Sequence, residues 1–115
     1  MTPVKQTKFH SDTRRGNCFA AAIATLLDMP LHAVPELEES DNWHETLFAW
    51  LDLLGYEFEI AYNDAPKGFA IAGGISSRGV KHAVIVQDGQ FVFDPHPSNT
   101  FVEKVSEYWT FSKDV

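Results

Sequence analysis

The single cysteine of this sequence, Cys18, follows the turn signal Gly16-Asn17 and opens an apolar run over residues 19–27. A thiol acts as a nucleophile in its thiolate form. The first turn of a helix favours that form, because unpaired N–H groups and the helix dipole direct positive charge at it. The Cys18 N–H at that position could also donate to an oxyanion, and Gly16 would let a substrate come close to the backbone. A thiol nucleophile needs a base, and the base needs an orienting partner. Of the five histidines (His10, His32, His44, His82 and His96), only His82 lies inside a clear strand pattern, on a face shared with Val80, Val84 and Val86. Asp94 comes twelve residues later, at the end of the return strand. Cys18 as nucleophile, His82 as base and Asp94 as its orienting carboxylate would perform acyl transfer through a thioester.

Each residue also has a plainer role. A lone cysteine beside an apolar run is ordinarily a small core residue. A half-buried histidine is ordinarily satisfied by a neighbour, and an aspartate before Pro95 is a common turn residue. Gln6 is a candidate second oxyanion donor, and equally a surface glutamine on a polar arm. Asn17 is the alternative donor. His96 is the second choice as third residue, flanked by Pro95 and Pro97.

The elements that must position these groups follow from periodicity. Residues 1–15 are polar and are expected to run extended over the surface. A helix from Cys18 to about Asp28 is apolar nearly all round, as a buried helix is, and Met29-Pro30 ends it. Residues 31–40 form a loop or a short helical turn. A second helix is capped by Asn42 with Glu45 as capping-box partner, carries Trp43, Leu47, Trp50, Leu51 and Leu54 on one face, and stops at Gly55. Strands are expected over 56–60, 68–72, 80–86 and 91–93, with a short helix over 101–107 and a strand after it. The glycine-rich stretch 68–79 would border the cleft, where Arg78 could hold a carboxylate.

The hairpin between the last two of those four strands decides whether His82 meets Asp94. A two-residue Asp88-Gly89 loop would pair 83 with 94 and turn Asp94 away from the His82 face. A three-residue loop over 87–89 pairs 82 with 94, puts Gly89 in the left-handed position, and sorts Val84, Val86 and Val92 to one face and Ala83, Ile85, Phe91 and Phe93 to the other. The three-residue loop is therefore expected, with the His82 face packed on the Cys18 helix. Helices first and antiparallel strands after give an α+β fold, a nucleophile helix on a small antiparallel sheet, in one domain over 1–115.

Composition narrows the partners. The formal net charge is −7, from 9 Lys/Arg and 16 Asp/Glu. Such a balance disfavours nucleic acid and anionic membrane surfaces, both of which select clustered cations. One cysteine permits no intramolecular disulfide, and MTPVKQTKFH lacks the apolar run of a signal peptide. A cytoplasmic setting is expected, with a peptide or amide substrate and no cofactor or metal.

GNCFAAAIATLL and KHAVIVQDGQFVFDPHPS resemble the papain-like cysteine peptidase superfamily. The layout is similar to its compact bacterial and phage members, the NlpC-type amidohydrolases and the leader-peptide peptidases of exporters. The resemblance implies a papain-like fold and a Cys18-His82-Asp94 triad that hydrolyses an amide or peptide bond. Two departures accompany it. The papain-type oxyanion glutamine stands a short fixed distance before the cysteine, whereas Gln6 is twelve residues away. The chain is also short, with no cell-wall targeting module. Two other readings stand beside this one: a catalytically silent papain-like module that binds a protein partner, and a metal site built from His82, Asp94 and His96, whose spacing lacks the usual helical or paired ligands.

Overall fold

The computed structural model describes residues 1–113. Helix α1 (Cys18–Leu26) has a core of Ala20, Ala21, Ala22, Ile23, Ala24 and Thr25, all buried. Alanines let the helix axis lie close to the sheet beneath it. The helix ends before Asp28, which adopts a left-handed φ of 57°, so it is slightly shorter than expected. Residues 31–40 contain two 3₁₀ turns, Leu31–Ala33 and Leu37–Glu39. Helix α2 (Trp43–Leu54) buries Leu47 and Leu51 and stops at Gly55, whose φ of 80° suits the left-handed C-terminal position. Asn42 occupies the N-cap position, but its side chain makes no capping bond; its backbone N–H donates to Ser40 Oγ instead. The expected capping box with Glu45 is thus not formed.

Five strands follow: β1 (Tyr56–Ala61), β2 (Phe69–Ile75), β3 (Lys81–Gln87), β4 (Gln90–Phe93) and β5 (Lys104–Lys113). They form one antiparallel sheet in the order β1-β5-β2-β3-β4. The fold is α+β, with two α-helices and a five-stranded sheet. The two central strands, β2 and β3, are buried along their middle residues, so they read as continuous apolar runs. One sheet face, with Ile71, Ala83, Ile85 and Trp109, packs on α1 and α2. The opposite face, with Ala70, Ala72, Val84 and Val86, is covered by Val102 and Phe101 and carries Val105 and Tyr108.

Two expectations about the sheet are corrected. Residues 101–107 do not form a helix; β5 begins at Lys104 and fills the gap between β1 and β2. The strand expected over 68–72 extends further, because β2 runs through Gly73-Gly74 to Ile75, which leaves only Gly68 and residues 76–79 of the glycine-rich stretch outside the sheet. Gly74 is required there by close approach: a Cβ on it would collide with the Lys104 carbonyl.

Candidate functional site

The site is assembled at the start of β3. His82 pairs with Gly74 on the β2 side, and on the other side β4 ends at Phe93, where the chain turns away. The β3–β4 turn has the two residues Asp88 and Gly89, with φ of 51° and 81°, and Gln87 pairs with Gln90. Positive φ at both positions is the signature of a type I′ hairpin, whose twist matches that of the strands. The expected three-residue loop is therefore absent. The extra residue lies in the strand instead: Val86 pairs with Phe91 and Ile85 with Phe93, leaving Val92 as a bulge. The bulge carries Asp94 back to the side of His82. Phe91 lies on the Val86 side, opposite to the expected sorting, and stacks on Phe101.

His82 Nε2 lies 2.5 Å from Asp94 Oδ1. Both residues are buried, at 5% and 1% exposure. A carboxylate can only accept, so Nε2 carries the proton and Nδ1 is the basic ring atom. Among the described residues no side chain bonds Nδ1. Asp94 Oδ1 also accepts from the His96 N–H (2.9 Å), and Oδ2 accepts from the Phe101 N–H (2.9 Å). Phe101 adopts φ 60°, an uncommon conformation for a bulky residue, and presents its N–H to Asp94 from it.

Charge states follow from these surroundings. Burial favours the neutral form of Asp94, but the bonds from His82, His96 and Phe101 outweigh it and hold the carboxyl below its ordinary value. Burial lowers His82 more than Asp94 raises it, and Arg78 lowers it further, so the imidazole is neutral at rest near pH 7. Burial pushes the Cys18 thiol up; the N–H groups of Ala83, Phe19 and Cys18 itself oppose this, while Asp94 adds to it. The thiol is neutral at rest.

Cys18 begins α1, as the sequence implies, and is half-buried. The expected packing of α1 on the His82 face is not found, because α1 lies over Ala83 and Ile85, on the other side of the sheet from Val84. Cys18 meets β3 at the Ala83 N–H, which belongs to the peptide joining His82 to Ala83. The thiol thus lies beside the His82 backbone, at the strand edge that β4 has vacated. Among the described residues no hydrogen bond joins Cys18 to His82.

The N-terminal segment is not a loose arm. Gln6 is buried, its N–H donates to the Pro95 carbonyl, and its Nε2 donates to the Lys8 carbonyl (2.9 Å). Gln6 Oε1 is buried without a partner. Gly16 is the residue against which this segment packs: a Cβ there would lie 3.0 Å from the Lys8 carbonyl and 3.3 Å from Gln6 Nε2. The space expected for substrate beside Gly16 is occupied by the chain itself. Asn17 is tied to the same segment, its Oδ1 accepting from the Thr7 and Lys8 N–H groups and one of its two Nδ2 hydrogens donated to Thr7 Oγ1, which turns its amide toward residues 7 and 8. Asn17 is therefore the anchor that holds Gln6 near Cys18.

One contributor was not legible from sequence. Lys5 Nζ donates to the carbonyls of Asp94 (2.9 Å) and His96 (3.4 Å), fixing the turn after β4 from far along the chain. His96 lies edge-on to His82, with ring centroids 6.0 Å apart. Among the described residues no group of three or more His, Cys, Asp or Glu side chains is arranged to hold a metal ion, and no helix is long and apolar enough to cross a membrane. Comparison with protein-family models, curated proteins and solved structures finds no match for this chain.

Proposed function

We propose that this chain is a cysteine-dependent amide hydrolase of papain-like type, acting on a peptide, isopeptide or side-chain amide. The observation that carries the reading is the buried His82–Asp94 pair beside a thiol that opens α1. Starting from a neutral pair, His82 Nδ1 takes the Cys18 proton as sulfur attacks the carbonyl carbon. Collapse of the tetrahedral intermediate expels the amine, which receives that proton from His82, and leaves a thioester on Cys18. Water, deprotonated by His82, then releases the acid and regenerates the thiol. Asp94 holds the tautomer in which Nδ1 is basic. The Cys18 N–H and the Gln6 Nε2 hydrogen not used by Lys8 would hold the oxyanion. Such an enzyme would act in the cytoplasm and need neither metal nor cofactor.

One observation favours a second reading, a silent binding module for a protein partner: the thiol is neutral and makes no bond to His82. Alkylation of Cys18 by iodoacetamide near neutral pH separates the two. The hydrolase reading expects labelling that falls about ten-fold or more in His82→Ala, in line with the usual contribution of a positioned base. Equal, slow labelling of both proteins would instead support the silent module.

A further inference from the structure

Beside the His82–Asp94 pair lies a second polar cluster that the proposed chemistry does not use. Arg78, in the turn between β2 and β3, donates through Nη1 to Ser98 Oγ (3.1 Å) and Thr100 Oγ1 (3.4 Å). Among the described residues no carboxylate pairs with it, although the chain carries 16 acidic side chains against 9 Lys/Arg. Ser98 N–H donates to His96 Nδ1 (3.0 Å), so that nitrogen is the acceptor and the neutral ring carries its proton on Nε2. The Ser98 hydroxyl, 2.8 Å from the same nitrogen, donates to it as well and accepts from Arg78. The hydrogen bonds therefore run from Arg78 through Ser98 into His96. Among the described residues they leave the remaining guanidinium donors and the His96 Nε2–H without a protein acceptor. Lys5 lies behind the same segment, also bound to neutral oxygens. The positive charge of Arg78 is felt at both His82 and His96, which places it within electrostatic reach of the reacting groups.

We propose that Arg78 and His96 form a carboxylate-binding subsite beside the His82–Asp94 pair, so that the substrate is an amide with a carboxylate close to the scissile bond. The inference rests on the hydrolase reading and names its substrate class. A planar guanidinium and a neutral imidazole donor match the two oxygens of a carboxylate. Ser98 and Thr100 hold Arg78 without neutralising it.

The test compares Cys18 alkylation by iodoacetate and by iodoacetamide, which have similar size and differ in charge. One uncompensated cation near a solvent-accessible thiol changes the rate of an anionic reagent by about two- to five-fold, as Coulomb attraction in a high-dielectric site allows. The iodoacetate-to-iodoacetamide rate ratio should fall by that factor in Arg78→Gln, be largely kept in Arg78→Lys, and shrink in the wild type as salt is raised. The same ratio in wild type and Arg78→Gln overturns the subsite. A ratio that moves with Arg78, while labelling is indifferent to His82→Ala, leaves an anion site and refutes the hydrolase reading. Protection of Cys18 from iodoacetamide by N-acetylglycylglycine points to a terminal carboxylate, and by N-acetylglutamate α-amide to an acidic side chain. Equal protection by neutral N-acetylglycylglycinamide overturns carboxylate recognition.

Discussion

Replacing Asp94 by Asn keeps the size of the side chain and removes what the site uses. The carboxylate receives three hydrogen bonds, from His82 Nε2, the His96 N–H and the Phe101 N–H. An amide offers one acceptor oxygen and one NH₂. With its oxygen toward His82 and His96, the NH₂ faces the Phe101 N–H and leaves that donor unpaired. In the flipped orientation the His96 N–H is unpaired, and His82 Nε2 must become an acceptor, which moves the ring proton to Nδ1 and abolishes the base. An orphaned buried donor costs about 1–3 kcal/mol. The surviving bonds also lose charge assistance, roughly halving each. The expected loss is about 2–4 kcal/mol at pH 7, read as a lowered urea midpoint with an unchanged slope. His82-dependent labelling of Cys18 should fall with it. A loss below about 0.5 kcal/mol, the range of an ordinary surface substitution, with unchanged labelling would refute the assignment of these three bonds.

The acid limb of stability should have two parts. His82 is depressed below its ordinary 6.5, so its contribution is full above that pH and is lost as pH falls through its folded value; Asp94 is depressed below 3.8, so its contribution disappears lower still. Urea titrations of His82→Gln should lack the upper part. Gly74→Ala should destabilise by about 3 kcal/mol or more or abolish folding, because its Cβ meets Lys104 backbone opposite His82; an unchanged thermal midpoint would contradict the β2–β5 register. Asn17→Ala, which breaks three bonds to residues 7 and 8, should cost about 2–4 kcal/mol and expose the N-terminal segment to limited proteolysis, with no increase in cleavage counting against its anchoring role.

Much of this fold is written in local sequence. The apolar run after Cys18, the Gly55 stop and the valine-rich β3 each specify an element from neighbouring residues alone, since helix and strand periods and left-handed glycines are local properties. Tertiary structure decided where single residues break those periods. Val92 and Ser106 are both left unpaired in their ladders, and each bulge inverts the alternation beyond it. The Ser106 bulge sends Val105 and Tyr108 to one face although their spacing is odd, which hides the first part of β5 as a strand in sequence, while the strand expected after residue 107 is found. The Val92 bulge converts the two-residue turn, which alone would turn Asp94 away, into a register that brings it to His82.

The types and spacing of Cys18, His82 and Asp94 thus marked candidate chemistry, and their chain order implied a helix followed by a hairpin. Whether His82 and Asp94 meet was decided by a bulge, since strand parity changes with every inserted residue and no local propensity fixes where the insertion falls. The charge states were also a tertiary matter. Burial of Cys18 and His82 outweighs the helix N–H groups and Asp94, so the resting pair is neutral although the sequence context alone favours a thiolate. Desolvation depends on what the rest of the chain packs around a group, and that is settled by contacts such as Gln6 with Pro95 and Lys5 with Asp94, which bring together residues nearly ninety positions apart.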